Sequence, residues 1–91
     1  MFYTYVLYSL KDKMLYTGYT KDLKNRIENH NKGEVKSTTN RRPLKLVYYE
    51  VCFNQQDATR REKYLKSGNG KIYLQSRLSN YWSEWTWYPT G

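Results

Sequence analysis

Two short segments of alternating hydrophobicity stand four residues apart near the start of this chain, and they leave few ways to fold it. Tyr3 to Ser9 alternates aromatic and aliphatic side chains and reads as a strand. Leu10-Lys11-Asp12-Lys13 is a polar turn, and Met14 to Thr20 reads as a second strand. Strands joined so closely pair as an antiparallel hairpin. Gly18 falls inside the second strand, where a glycine marks a bulge or a close approach of backbone.

The rest of the chain must cover that hairpin. Thr20 is the expected N-cap of a first helix, with Asp22 in its first turn and Gly33 ending it. Glu34 to Pro43 is a polar loop, and Lys45 to Phe53 reads as a third strand. Asn54 can cap a second helix from about Gln55 to Ser67, which Gly68 stops. Asn69-Gly70 then reads as a turn, and Lys71 to Leu78 as a short third helix. The expected fold is α+β: a small three-stranded antiparallel sheet packed against helices in the order β-β-α-β-α-α. The 91 residues suffice for one domain. Residues 1–79 are its expected extent, and 80–91 form an aromatic tail.

Composition narrows the partners. The net charge is +8, with 38% hydrophobic residues, and the mean hydropathy is −1.00. So basic a surface attracts polyanions, nucleic acid first. No basic amphipathic helix with an aliphatic face appears, which disfavours a membrane surface. The N-terminus lacks the charged and apolar regions of a signal peptide, and no apolar run could span a bilayer, so the protein reads as cytoplasmic. Cys52, the single cysteine, can form no disulfide within the chain and no structural zinc site. It reads as a small core residue. Eleven tyrosines against two phenylalanines imply either a wet core or phenols that do chemistry.

Helical periodicity places the polar residues. In the first helix Leu23 and Ile27 define the buried stripe. Arg26 and His30 stack one turn apart at its edge, His30 only about 20° from Leu23 on the wheel. A core-edge histidine beside a snorkelling arginine would look the same. In the second helix Glu62 lies between Ala58 and Leu65 on the apolar side. A carboxylate placed there needs a cation or a metal; an internal ion pair with Arg26 is the alternative to a functional role. If the sheet face bearing Tyr5 and Tyr16 meets these helices, two phenols, an arginine, a histidine and a carboxylate converge. Gly18 beside them would leave room for a substrate backbone. Such a set suits phosphoryl-transfer hydrolysis.

The pattern Tyr3-Thr4-Tyr5, Tyr16-Thr17-Gly18, Arg26 with His30, and Glu62 resembles the GIY-YIG nuclease domain over roughly residues 1 to 79. It is most similar to the small stand-alone bacterial branch, related in its domain to the nuclease of nucleotide-excision repair. Tyr3-Thr4 replaces the usual glycine and isoleucine, which do no chemistry. The resemblance implies a DNA endonuclease of repair or processing, with RNA left open as substrate. It implies that Glu62 binds one Mg²⁺ or Mn²⁺ and that Arg26 clamps the scissile phosphate. Tyr5 would position or deprotonate the attacking water, Tyr16 would share that role or hydrogen-bond the site, and His30 would orient Tyr5 or relay its proton. The alternative is a non-catalytic nucleic-acid-binding module of the same fold.

Lys36, Arg41, Arg42, Lys66 and Lys71 are the expected phosphate contacts, although a charged face is often only solvated. Tyr81 to Tyr88 holds all three tryptophans. These are expected to pack on the thin core or at a dimer contact in preference to stacking on bases.

Overall fold

The computed structural model describes residues 1–83, with side chains through Tyr81. Strands β1 (Phe2–Ser9), β2 (Leu15–Thr20) and β3 (Leu44–Cys52) form one antiparallel sheet in the order β2-β1-β3. Helix α1 (Leu23–Lys32) connects β2 to the loop before β3, while α2 (Gln55–Lys66) and α3 (Gly68–Arg77) follow it. A single 3₁₀ turn (Thr39–Arg41) and a short helix α4 (Ser79–Ser83) complete the described elements. This is the expected α+β order. The expected tail falls largely outside the described residues. Among the described residues no helix is long and apolar enough to cross a membrane.

β1 is the central strand, and Thr4 through Ser9 are buried. Because strand side chains alternate between faces, one strand serves two layers. Tyr5 and Leu7 pack with Leu44 against Leu23 and Ile27 of α1. Val6 faces the other way, onto Leu65 of α2 and Leu74 of α3. The β1–β3 register slips between Val6 and Leu7, so Val6 pairs with Tyr48 and Leu7 with Leu46. Val47 is thus the extra residue of a bulge. Cys52, read as a core residue, ends β3 only half-buried, its Sγ donating to the Asn54 carbonyl at 3.3 Å.

The caps follow local chemistry. The N-cap of α1 is Asp22 rather than Thr20: its carboxylate accepts from the Asn25 N–H at 3.2 Å, while Thr20 remains in β2 and braces the Asp22 N–H. Gly33 ends the helix in the left-handed region, φ 82°. Asn54 caps α2 as expected, accepting from the Asp57 N–H at 3.1 Å.

Asn69-Gly70 is not a turn between helices but part of the first turn of α3. The Ser67 hydroxyl accepts from the Gly70 N–H at 3.2 Å, so one residue closes α2 and caps α3. Gly70 also lies where a Cβ would overlap the backbone of Tyr64 and Leu65. A second bracket holds β3 to these helices. Glu50 accepts from Arg61 through both oxygens at 2.9–3.0 Å and from Tyr48 at 2.8 Å. The Arg61 guanidinium lies over the Tyr73 and Tyr64 rings.

Gly70→Ala should therefore destabilise the fold by about 1–3 kcal/mol through overpacking. Gly68→Ala, with nothing near its added Cβ, should be neutral or stabilising by up to about 1 kcal/mol. Urea unfolding of the two variants checks this, and equal midpoints would contradict the close crossing of α2 and α3.

Candidate active site

The site begins with a side chain laid across a residue that has none. Tyr5 and Gly18 are register partners on β1 and β2, so their side-chain positions share a face. A Cβ on Gly18 would overlap the Tyr5 hydroxyl and Cζ. The Tyr5 ring therefore crosses Gly18 and carries its hydroxyl toward β2, the edge strand. The room beside Gly18, expected for a substrate backbone, is filled by this phenol.

Helix α1 brings the next two groups. His30 is its one fully buried side chain, while Leu23 and Ile27 are only partly buried. The Tyr5 hydroxyl lies 2.7 Å from His30 Nε2, and His30 Nδ1 lies 2.7 Å from the Thr38 hydroxyl. The imidazole meets the Tyr5 and Tyr16 rings edge-on, at centroid distances of 5.6 and 5.2 Å. Arg26, one turn earlier, donates from Nε to the Tyr5 hydroxyl at 3.3 Å.

The charges of these groups follow from their surroundings. Burial, with the Arg26 charge added, pushes His30 down to about 4. Burial raises the Tyr5 phenol, and the Arg26 hydrogen bond opposes part of that rise. The same hydrogen bond raises Arg26. At neutral pH the network holds a neutral imidazole, a protonated phenol and a guanidinium.

Glu62 reaches this network from the opposite layer. It belongs to α2, beneath the other face of the sheet, yet its charge contributes to raising Tyr5. It is not the core carboxylate that the helical wheel implied. Ala58 and Leu65 are buried, but the Glu62 side chain is 22% exposed and pairs with Lys66 at 3.1 Å, not with Arg26. It sits at the margin of the apolar stripe. No three His, Cys, Asp or Glu side chains cluster among the described residues. A single solvent-reachable carboxylate still fits a hard, largely hydrated dication such as Mg²⁺ or Mn²⁺, which takes its remaining ligands from water and substrate phosphate.

The loop between α1 and β3 supplies two residues that periodicity could not reveal. Ser37 donates to the Tyr16 hydroxyl at 3.3 Å, and Thr38 meets His30. In the sequence they are two more polar residues in a polar loop. Of the expected phosphate contacts, Lys36 and Arg42 are exposed on this loop. Arg42 donates to the Thr39 carbonyl and lies over Gly33. Arg41 is otherwise occupied: it binds Asp12 at 2.5 Å and donates to the Met14 and Leu15 carbonyls, which staples the loop to the β1–β2 turn. Lys66 is the partner of Glu62. Lys71 is exposed on α3, in the layer opposite Tyr5.

Known proteins resemble this chain. The family model described as the GIY-YIG catalytic domain matches residues 1–81. A UPF0213 protein of Clostridium perfringens is 45% identical over 82 residues, covering 87% of this chain and 87% of that one. A UPF0213 protein of Pediococcus acidilactici is 43% identical over 82 residues, covering 87% and 83%. The solution structure of a UPF0213 protein from Bacillus halodurans is 38% identical, with a TM-score of 0.51 and 84% of each chain covered.

The depressed His30 has a consequence for stability. Because its folded value lies below the ordinary 6.5, the unfolded chain takes up this proton first as pH falls. The contribution of neutral His30 is thus complete above about pH 6.5 and is lost as pH drops toward 4. The shift corresponds to roughly 3 kcal/mol. The chain has one histidine, so a ring-proton NMR titration reads it directly. A midpoint near 4 and a melting temperature that falls across this range are expected; a midpoint near 6.5 would contradict the buried neutral site.

Proposed function

The chain belongs to the GIY-YIG catalytic-domain family, and from that premise we propose that it is a divalent-metal-dependent endonuclease hydrolysing phosphodiester bonds in DNA during repair or processing. One observation carries this reading. A single phenol, Tyr5, is hydrogen-bonded to a neutral histidine and to an arginine, and lies within the electrostatic reach of a carboxylate. That set provides a proton acceptor, a phosphate clamp and a metal ligand in one place.

Arg26 holds the scissile phosphate, and its guanidinium offsets charge that grows in the transition state. Tyr5 orients the attacking water and takes its proton while passing its own to His30 Nε2. The phosphodiester charge, drawn in beside Arg26, counters the repulsion that disfavours a positive His30. Tyr16, held by Ser37, flanks the imidazole and fixes its plane. Mg²⁺ or Mn²⁺ bound at Glu62 would supply Lewis-acid stabilisation of the phosphate. Lys36 and Arg42, exposed on the loop before β3, steer the backbone, and the net charge of +8 favours polyanion binding without sequence readout.

Glu62→Gln tests this assignment. The Glu62–Lys66 pair lies on a helix surface, with Lys66 about half exposed, so its loss should cost no more than about 0.5 kcal/mol. The variant should melt within a few degrees of wild type and bind duplex DNA equally well. Its cleavage with Mg²⁺ or Mn²⁺ should fall by roughly a hundredfold or more. Undiminished cleavage would remove Glu62 from the site, and a large drop in melting temperature would make it a structural residue.

A further inference from the structure

We infer that Thr38 is a positioning residue that fixes the tautomer of His30, so that Nε2 faces Tyr5 as an unprotonated acceptor. The inference follows from placing every proton in the chain Val35–Thr38–His30–Tyr5–Arg26. At one end, the Thr38 hydroxyl lies 3.4 Å from the Val35 carbonyl, to which it donates, and 2.7 Å from His30 Nδ1. A hydroxyl has one proton. With that proton on the Val35 carbonyl, Thr38 accepts from His30 and Nδ1 carries the hydrogen. At the other end, the Tyr5 hydroxyl accepts from Arg26 Nε and lies 2.7 Å from His30 Nε2. If Nε2 carried the hydrogen, both described partners of the Tyr5 hydroxyl would be donors, and its own buried proton could go to neither. With Nε2 bare, Tyr5 donates to it. Both ends thus select the Nδ1–H form.

This form needs support from the protein. In water the Nε2–H tautomer of a histidine side chain is the commoner one, so the hydrogen bond at Nδ1 decides the matter. Thr38 is suited to the task because it is fully buried. Its own backbone N–H is bonded to the Val35 carbonyl at 3.0 Å, which ties the turn that presents the hydroxyl. Without Thr38 an imidazole that rotates or changes tautomer would offer Tyr5 a donor, and the phenol could not pass on a proton taken from water.

The catalytic consequence rests on the nuclease reading above, but the tautomer does not, and two measurements separate them. In nitrogen-15 NMR of the wild-type side chain, Nδ1 should appear as the protonated nitrogen and Nε2 as the bare one. Thr38→Val, nearly isosteric, should shift the population toward Nε2–H and lower kcat for DNA cleavage by at least about tenfold, with KM for DNA unchanged. Thr38→Ser should restore both. A wild-type spectrum with the hydrogen on Nε2 overturns the inference whether or not any variant folds. So does a folded Thr38→Val protein that keeps the Nδ1–H form. Wild-type protein that shows the Nδ1–H form but cuts no DNA would sink the nuclease reading alone.

Discussion

The Tyr5 phenol crosses Gly18 and ends on His30, and most of the site is arranged around that contact. It requires a strand register that sets a glycine opposite a tyrosine, since any Cβ there would push the ring away. It requires α1 to begin at Asp22, which brings Arg26 and His30 to successive turns above the phenol. It requires the following loop to close over the imidazole through Thr38. The core of the α1 layer is built on the same residue, because Tyr5 packs with Leu7 and Leu44 in the cluster that receives Leu23 and Ile27. The core and the candidate site therefore share one side chain.

Three titratable groups lie in one hydrogen-bonded row. Burial keeps His30 neutral and Tyr5 protonated, while the Arg26 guanidinium is charged and its bond to the phenol raises it further. The arginine disfavours a second positive charge on His30, so the resting site resists moving the phenolic proton. In the proposed reaction a bound phosphodiester changes that balance by bringing negative charge beside the guanidinium. On the proposed nuclease reading, proton transfer is thereby coupled to substrate binding.

Much of this was legible in the sequence. The hairpin followed from its alternation and short turn, and the Asn54 and Gly33 caps from their residue types. The grouping of Tyr5, Arg26 and His30 came from strand and helix periodicity. What failed shares a cause: a helical wheel gives an angle about one axis, not the neighbour found at that angle. It put Glu62 in the core, whereas α2 leaves that position at its margin beside Lys66. It could not tell that His30 would be buried more deeply than Leu23. Loop contacts have no period, so Ser37 and Thr38 were invisible, as was the staple between Arg41 and Asp12. Asn69-Gly70 has turn chemistry, but the Ser67 cap and the tight crossing of α2 and α3 draw it into a helix.

The most direct test of the whole arrangement removes one oxygen atom. Tyr5→Phe keeps the ring over Gly18 and the packing with Leu7 and Leu44, but deletes the hydroxyl shared by His30 and Arg26. Cleavage of branched, nicked and duplex DNA should be compared for wild type and Tyr5→Phe, with Mg²⁺, with Mn²⁺ and with chelator. Wild type should cut only with metal. Tyr5→Phe should bind the same DNA yet cut it more slowly by about a hundredfold or more, the scale of a lost general acid–base group. Cleavage that persists in chelator, or a Tyr5→Phe protein that cuts at the wild-type rate, would contradict a metal-dependent site centred on this phenol.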